Sequence, residues 1–273
     1  SHWGCQALNV RPANSRCVYY VDLAEGCRVF RSNPGWDGPT PPSRIVGYSA
    51  HLSRCQAPVP HIFPARDGAL SKQHRDFTLS VEGLLPGQHL SSTQPEVLHA
   101  VGQGLACLHR AATSFAECPS QWQPVRGYVD GMFSRSLARP LAEGERAAVT
   151  LLCQHVQADY SSILDQYVLW ILCRGDVHAG NTLVTAEGEV GFTDFNSAEY
   201  APALWEVVMT RFQWLVGQSQ GRLLEVSEAA DLVRGYHRER PLEESEVLAF
   251  PAVWSAYYTD RLTFLHNKWE AQS

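Results

Sequence analysis

The chain has 273 residues, of which 45% are hydrophobic, and its formal net charge is −6. A chain of this length can bury a substantial core, and one two-lobed domain is the natural expectation. The acidic balance and the lack of a basic stripe argue against nucleic acid as the main partner. No apolar run reaches membrane-spanning length and no signal peptide is recognisable, so we expect neither a membrane anchor nor a leader.

The cysteines suggest a reducing compartment. The eight cysteines are scattered, without a Cys-x-x-Cys pair and without Cys/His spacing typical of a metal site. Such cysteines are typical of reduced, mostly buried thiols. We therefore expect a cytoplasmic protein.

The first 86 residues alternate strand-like runs with turns. A hairpin is predicted at Val18–Leu23 and Arg28–Ser32, followed by a Pro/Gly-rich loop and a helix at Ser43–Arg54. Two further strands are predicted at His61–Pro64 and Phe77–Val81.

Helical patterns dominate after Pro86-Gly87. Thr93–Glu96 has the form of a capping box, and apolar residues follow it on one helical face. Later helices are predicted at Glu143–Tyr160, Ala203–Val216, Ser227–His237 and Glu243–Glu270. The change from strands to helices predicts an α+β fold with a small sheet lobe over residues 1–86 and a larger helical lobe over residues 87–273.

One segment carries most of the functional information. Arg-Gly-Asp-Val-His-Ala-Gly-Asn occupies residues 174–181, and Phe-Thr-Asp-Phe occupies residues 192–195. Between them, a short strand, a polar turn and a second strand are predicted, and a hairpin of that length brings Asn181 and Asp194 together at one end. Asp176 lies five residues before Asn181.

Phosphoryl transfer from ATP requires this set of side chains. One carboxylate takes the proton of the acceptor hydroxyl, while an amide and a second carboxylate hold magnesium on the phosphates. Asp-x-x-x-x-Asn is also the spacing of the protein-kinase catalytic loop. The alternative is an Asx-turn loop before a hairpin, in which Asp and Asn only satisfy backbone groups.

These motifs resemble the aminoglycoside phosphotransferase and choline kinase class of protein-kinase-like small-molecule kinases. Val101–His109 is similar to the long helix of that class, and Val81–Gly87 is similar to the hinge between its lobes. The resemblance implies a five-stranded antiparallel N-lobe sheet, a mainly helical C-lobe, and ATP and magnesium as cofactors. It also implies a catalytic base at Asp176, metal ligands at Asn181 and Asp194, and nucleotide contacts at Arg31, Val81 and Gly83.

The chain departs from the family pattern at three positions. Arg31 stands where the family usually has a lysine that holds the phosphates, and guanidinium can take over that role. Ile45 or Val46 stands where a helical glutamate usually pairs with that lysine, so Arg31 needs another carboxylate or is held by ATP alone. Arg174 replaces a common histidine and is expected to alter how the loop is braced.

The remaining polar residues near the motif have structural interpretations. We interpret His178 as a loop histidine that is hydrogen-bonded near the base, and Glu206 as a brace of the C-lobe. Carboxylates that could serve a cationic acceptor are Glu199, Glu206 and Asp260, with Asn196 and Ser197 beside them. The aromatic residues of the last helix are interpreted as core rather than as a cage for a cation; they are Trp254, Tyr257, Tyr258, Phe264 and Trp269.

Two functions from different classes fit the sequence. The first is a magnesium- and ATP-dependent phosphotransferase that acts on a hydroxyl of a metabolite, an antibiotic or a peptide. The second is a non-catalytic, kinase-like subunit that holds a peptide or a partner protein in a biosynthetic complex. The complete set of Asp176, Asn181 and Asp194 favours the first, and the absent lysine and glutamate favour the second.

Overall fold

Antiparallel strands form a twisted sheet in the first part of the chain. The computed structural model describes residues 2–13, 17–34, 40–90, 93–116, 121–216 and 224–270. Within them, five strands lie in the order β1-β2-β3-β5-β4. Their bounds are β1 (Asn9–Pro12), β2 (Val18–Leu23), β3 (Gly26–Pro34), β4 (Lys72–His74) and β5 (Phe77–Gly83). The expected antiparallel N-lobe sheet is confirmed.

The β2–β3 hairpin carries Arg31 into the middle of this sheet. Strand β2 has the predicted bounds, and β3 is longer than the predicted Arg28–Ser32. Gly26 has a φ of 120°, which L side chains rarely adopt, so this glycine permits the turn. Arg31 is paired with Val18 on one side and with Ser80 of β5 on the other.

The strand predicted at His61–Pro64 is wrong. In the described chain this segment contributes a single β-bridge, between Ile62 and Glu82, and two flanking backbone hydrogen bonds to β5. Pro60 and Pro64 bound the segment, and proline has no N–H with which to continue a ladder. The fifth strand is β4, a three-residue polar edge strand without the apolar alternation by which strands are recognised.

Helix α1 (Pro42–Arg54) begins one residue before the predicted start and packs on the sheet. Its proline at the first helical position is well placed, since that residue needs no N–H partner. Ile45 and Val46 are buried on its inner face. The hydroxyl of Tyr48 donates to the carbonyl of Leu172, which ties α1 to the second half of the chain.

Six helices follow, and four of them lie within two residues of their predicted bounds. Their bounds are α2 (Pro95–Ala112), α3 (Arg126–Ala138), α4 (Glu143–Asp159), α5 (Ala203–Val216), α6 (Val226–Glu239) and α7 (Glu244–Glu270). The predicted capping box is wrong, because α2 begins at Pro95 and its N-cap Gln94 makes no side-chain capping bond. No helix in the described chain is long and apolar enough to cross a membrane.

Two small sheets complete the helical part. Strands β7 (Gln121–Pro124), β8 (Tyr167–Cys173) and β11 (Glu199–Pro202) form one, with β8 in the centre. Strands β6 (Gln88–His89), β9 (Thr182–Val184) and β10 (Val190–Phe192) form the other. Strand β6 follows directly on residues 84–87, which connect the sheet lobe to the rest; the division at residue 86 stays a prediction.

Helices α2 and α6 cross at an unusually short distance because each presents a glycine to the other. A Cβ atom on Gly102 would lie 2.0 Å from the carbonyl oxygen of Leu232, and one on Gly235 would lie 1.9 Å from that of His99. Backbone atoms cannot yield to such contacts as a flexible side chain can. The crossing holds α6 against the helix that carries the buried His109.

Replacing Gly235 by Ala should therefore lower the free energy of unfolding by about 1–3 kcal/mol, the usual cost of overpacking. Denaturant unfolding of the two proteins measures this difference. Gly144→Ala is the matched control, because a Cβ atom at this exposed position of α4 meets nothing within 4 Å. Equal stability of Gly235→Ala and the parent would contradict the tight crossing.

Candidate active site

The predicted hairpin of β9 and β10 is present and closes the functional segment. Val184 pairs with Val190 and Thr182 pairs with Phe192. At the open end, the N–H of Thr193 donates to the carbonyl of Asn181 at 3.0 Å. Asn181 and the residue after Thr193, Asp194, thus lie side by side at one wall of a cleft.

The side chains of Asp176, His178 and Asn181 contact one another. Nδ2 of Asn181 donates to Oδ2 of Asp176 at 3.0 Å and lies 2.9 Å from Nε2 of His178. Nδ1 of His178 accepts from the N–H of Gly180 at 3.0 Å, and its Nε2 lies 3.5 Å from Oδ2 of Asp176. His178 therefore braces both the loop backbone and the carboxylate, as its structural interpretation requires.

Asp176 remains ionised at neutral pH. Burial raises the pKa of Asp176, but the hydrogen bond to His178, the charge of Arg174 and the amide of Asn181 outweigh it and lower the pKa below its ordinary value. About a third of the side chain is exposed, so the carboxylate can meet a substrate. An ionised, accessible carboxylate in this position can accept a proton from a hydroxyl.

Asp194 adopts a backbone conformation that is costly for a residue with a side chain. Its φ is 61°, in the left-handed region. Its carboxylate is 40% exposed, and Oδ1 lies 3.9 Å from a guanidinium nitrogen of Arg31. Strained residues are concentrated at functional sites, where the strain directs a side chain into a required position.

Arg31 has a carboxylate partner that the sequence pattern did not reveal. Its Nε donates to Oε2 of Glu82 at 2.9 Å, and both side chains are 12% exposed. Glu82 lies on β5, two residues beyond Ser80, the residue opposite Arg31, so the pair is a diagonal cross-strand contact on one face of the sheet. Ile45 and Val46 of α1 line a small cavity beside it, as the alignment to the family predicted.

The charge of Arg31 is secure. Burial lowers the pKa of Arg31, while the carboxylates of Glu82 and Asp194 outweigh that effect and raise it above its ordinary value. Arg31 is therefore a buried, permanently charged group that stands between two anions at the edge of the cleft.

A cavity of about 700 Å³ lies between the sheet and the β9–β10 hairpin. Arg31, Gly83, Asn181 and Asp194, four of the residues predicted for the site, all line it. Apolar contact surface is supplied by Val29, Leu85 and Leu183 among others. The cavity is large enough for a nucleotide-sized ligand, with an apolar part and an ionic part.

The structure does not bring the side chain of Val81 into this cleft. It lines a separate, apolar cavity of about 420 Å³ on the opposite face of the sheet, with Trp3 and Phe30. Its carbonyl accepts from the N–H of Phe63. The physical reason is the alternation of a strand, because Glu82 faces the cleft and its neighbour Val81 must face away.

The loop that carries Asp176 is anchored by Glu206. This side chain is fully buried, and it accepts from the backbone N–H groups of Arg174 at 3.1 Å and Gly175 at 2.6 Å. The guanidinium of the buried Arg174 donates to the carbonyl of Thr193 and so ties the loop to the end of β10. These contacts agree with the bracing roles expected for Arg174 and Glu206.

His109 extends this anchor to the α2–α6 crossing. Its Nε2 lies 2.9 Å from Oε2 of Glu206, and its Nδ1 lies 2.7 Å from the hydroxyl of Tyr236. Burial lowers the pKa of His109, and the nearby carboxylates offset this only in part. The neutral ring therefore donates to Glu206 and accepts from Tyr236, which in turn accepts from Arg240.

The predicted ligand set suits magnesium. Nδ2 of Asn181 is engaged by Asp176, which leaves its amide oxygen available, and the Asp194 carboxylate is partly exposed on the same side. Amide and carboxylate oxygens are the hard ligands that this ion prefers, usually with bound waters and substrate phosphates. A second group of potential ligands, His109, Cys173 and Glu206, is fully buried and saturated by hydrogen bonds, so it offers no comparable site.

The aromatic residues of α7 belong mainly to the core, as interpreted from the sequence. Tyr257 is fully buried and meets Trp205 edge to face. Trp254 stacks on Tyr258 with ring centroids 4.8 Å apart, and the cation over Trp254 is the chain's own Arg211. Phe264 is an exception because it is exposed, and the side chain of Trp269 lies outside the described residues.

The fold and the site together define a protein-kinase-like class of phosphotransferase. The chain belongs to the phosphotransferase enzyme family, whose model matches residues 11–242. This confirms the resemblance recognised in the sequence.

Individual relatives and solved structures give the same result. A homoserine kinase of Cupriavidus taiwanensis is 27% identical over 204 residues, which cover 72% of this chain and 60% of the relative. A protein of Deinococcus radiodurans is 28% identical over 239 residues, or 82% of this chain and 66% of that protein. The chain thus spans about three fifths to two thirds of the length of these curated relatives.

The structural matches show the fold. The amicoumacin kinase hAmiN, in complex with AMP-PNP, Ca²⁺ and Ami, superimposes with a TM-score of 0.72 at 14% identity, over 97% of this chain and 83% of that one. An aminoglycoside phosphotransferase from Alicyclobacillus acidocaldarius superimposes with a TM-score of 0.65 at 17% identity, over 96% and 83% of the two chains.

The neutral, buried His109 makes stability depend on pH. Its pKa in the folded state is below its ordinary value of 6.5, so below pH 6.5 the unfolded chain binds a proton that the folded chain does not. The free energy of unfolding should fall as the pH decreases through this range, by up to about 1.4 kcal/mol per pH unit. His109→Gln should lower overall stability but flatten this dependence between pH 6.5 and 5.

Thermal or urea unfolding across that pH range measures the slope. His155→Gln, at an exposed position of α4, is the control and should retain the parental slope. A His109→Gln variant with an unchanged slope would show that another group is responsible.

Proposed function

We propose that the protein transfers the terminal phosphoryl group of magnesium-bound ATP to a hydroxyl of a small molecule. The observation that carries this proposal is that Asn181 and Asp194 line one cleft with the Arg31–Glu82 pair, while Asp176 is hydrogen-bonded to Asn181. These side chains supply a base, hard metal ligands and a cation, which are the components that phosphoryl transfer uses.

The reaction needs little from the protein beyond positioning and charge. Asp176 would accept the hydroxyl proton as the acceptor oxygen forms its bond to phosphorus and the bond to the β-phosphate oxygen breaks, releasing ADP. Bound to Asn181 and Asp194, magnesium would neutralise charge on the phosphates. Hydrogen bonds from Asn181 and His178 orient the base, and most of the barrier is lowered by such preorganisation.

Arg31 would hold the phosphates from the sheet side. Its charge is permanent, and its second neighbour besides Glu82 is Asp194, the proposed metal ligand. A guanidinium held by Glu82 through Nε keeps its terminal nitrogens for the phosphates. Gly83 lines the same cavity and would contact the nucleotide through its backbone. Because the side chain of Val81 faces away from the cleft, Val81 could contact the nucleotide only through its backbone.

Relatives support a small-molecule acceptor. Curated relatives are named homoserine kinases, and structural neighbours include a kinase of amicoumacin and a spectinomycin phosphotransferase solved with ADP and spectinomycin. A peptide hydroxyl stays an alternative acceptor. We place the protein in the cytoplasm, since no disulfide joins the seven cysteines of the described chain, as in a reducing compartment.

The non-catalytic alternative loses part of its basis. It depended on a missing partner for the phosphate-binding cation, and Glu82 provides that partner from β5. The buried bracing of the loop by Glu206 also favours catalysis, because a binding module has no need of a rigid base and metal set.

Two substitutions test the proposed base and the proposed metal ligand independently. Asp176→Asn should leave Mg-ATP binding nearly unchanged and lower turnover by roughly 10²–10⁴-fold, the usual contribution of a positioned base. Asp194→Ala should abolish the magnesium-dependent part of nucleotide binding, since it removes an anionic ligand. Calorimetric titration with and without magnesium, together with ADP formation, provides both readouts; undiminished Mg-ATP binding by Asp194→Ala would refute the metal assignment.

A double-mutant cycle tests the Arg31–Glu82 pair. Arg31→Ala should weaken ATP about ten- to a hundredfold, the loss of a charge-assisted hydrogen bond, and leave adenosine nearly unaffected. Glu82→Gln should cause part of the same loss, and it should add little in the Arg31→Ala background, because its effect acts through Arg31.

Glu25→Gln, at the exposed β2–β3 turn, is the charge-matched control. If the two substitutions had fully additive effects on the free energy of ATP binding, Glu82 would not act through Arg31. Unchanged ATP affinity in Arg31→Ala would remove Arg31 from the phosphate site.

A further inference from the structure

Three carboxylates beyond Asp194 could face an acceptor, and the structure distinguishes among them. Glu206 is saturated by backbone N–H groups and His109. Asp260 is buried and ion-paired with Arg139 at 2.9 Å. Glu199 is half-buried, yet in the described chain it forms neither a hydrogen bond nor an ion pair, and a partly buried charge without a partner is costly.

Glu199 lies close to the proposed base. It is the first residue of β11 and pairs with Cys173, the last residue of β8, three positions before Asp176. The chain preceding it packs on the catalytic loop, since a Cβ atom on Gly175 would lie only 2.0 Å from the carbonyl oxygen of Ser197. Glu199 and Asp176 are therefore carried by two chain segments that are in contact.

Helix α3 carries a cation, Arg135, on the face that is directed toward the region of Glu199. Tyr128, Arg135 and Arg139 follow one face of α3, at spacings of seven and four residues. The ring of Tyr128 meets Trp170 of β8 and Trp205 of α5, and Arg139 bonds to Asp260 of α7. This face of α3 thus borders β8, α5 and α7.

Arg135 on that face is exposed and has no carboxylate partner in the described chain; its guanidinium contacts the sulfur of Met132. Burial raises the pKa of Glu199, and the charges of Arg135 and Arg261 offset this only in part, so the opposite charges are near each other without forming an ion pair. The hydroxyl of Tyr128 and Nε1 of Trp205 are also buried without partners in the described chain. Together these groups offer an anion, a cation and two unused donors in the region where α3, β8, β11 and α5 meet.

We propose that Glu199 binds an ammonium group and Arg135 binds a carboxylate of the acceptor, so that the substrate is a hydroxy amino acid. This inference rests on the proposed function. It differs from a site for a purely cationic alcohol, in which Arg135 would repel the substrate. The two charges would fix the acceptor in the orientation that presents its hydroxyl to Asp176.

Three probes of one carbon skeleton test the assignment. L-Homoserine carries both charges, 3-aminopropan-1-ol lacks the carboxylate, and 4-hydroxybutyrate lacks the ammonium group. ADP formation with each probe should give a kcat/KM for L-homoserine at least about tenfold above those of the other two, since each lost charge pair removes a charge-assisted contact. This comparison needs no variant and is independent of any folding defect.

Variants then assign each charge to a residue. Glu199→Gln should raise KM about ten- to a hundredfold for L-homoserine and also raise it for 3-aminopropan-1-ol, but leave that of 4-hydroxybutyrate unchanged. Arg135→Gln should raise KM for L-homoserine and 4-hydroxybutyrate and spare 3-aminopropan-1-ol. Matched controls at exposed positions are Glu187→Gln and Arg54→Gln, which should change none of the values.

The outcomes separate this inference from the proposed function. If Mg-ATP binds in an Asp194-dependent manner but 3-aminopropan-1-ol or spectinomycin is phosphorylated better than L-homoserine, L-serine and L-threonine, the acceptor class is wrong and the phosphotransferase function stands. The acceptor class is also overturned if none of the three amino acids is phosphorylated. Failure to bind Mg-ATP overturns the proposed function itself.

Discussion

The geometry of the cleft depends on one buried carboxylate. Glu206 is removed from water and accepts the N–H groups of two consecutive residues, Arg174 and Gly175, at the base of the catalytic loop. A buried charge is tolerated only when such donors surround it, and the removal of a partner leaves the full desolvation cost. Any other arrangement of the loop would leave the buried Glu206 without its donors, so the loop is held in place. Asp176, which directly follows Gly175, is held in position with it.

The phosphate side of the cleft follows a different logic. The Arg31–Glu82 pair lies entirely within the N-lobe sheet, between β3 and β5. In protein kinases the equivalent pair joins the sheet to a helix, so that displacement of the helix breaks it. Here the pair includes no residue of α1, whose Ile45 and Val46 line the small cavity beside it. Arg31 is therefore held ready to bind phosphates without a movement of the helix. This would suit a phosphotransferase whose rate is set by the supply of its substrates.

The sequence was most informative where the structure is local. Asp176, Asn181 and Asp194 fall within one short segment that is closed by its own hairpin, so spacing alone placed them together. Glu82 is 51 positions from Arg31, and their contact depends on the register of two strands that are distant along the chain. Resemblance to a hinge identified the segment around Val81, but could not determine which of two neighbouring residues faces the cleft.

Missed elements have a similar explanation. Strand β8 is apolar on both faces, so its sequence lacks the alternation that marks a half-buried strand. Helix α3 interleaves charged and apolar residues and shows no dominant apolar stripe. Both elements border the region proposed for the acceptor, and their positions depend on packing between distant parts of the chain.

The left-handed backbone of Asp194 implies a conflict between stability and activity at a single position. Glycine would adopt a φ of 61° without strain, whereas a residue with a Cβ atom is held there at a cost of about 1–3 kcal/mol. Selection for thermodynamic stability alone would thus favour the replacement of Asp194 by glycine. A carboxylate at this wall of the cleft, where the metal ligand is proposed, therefore comes at the expense of stability.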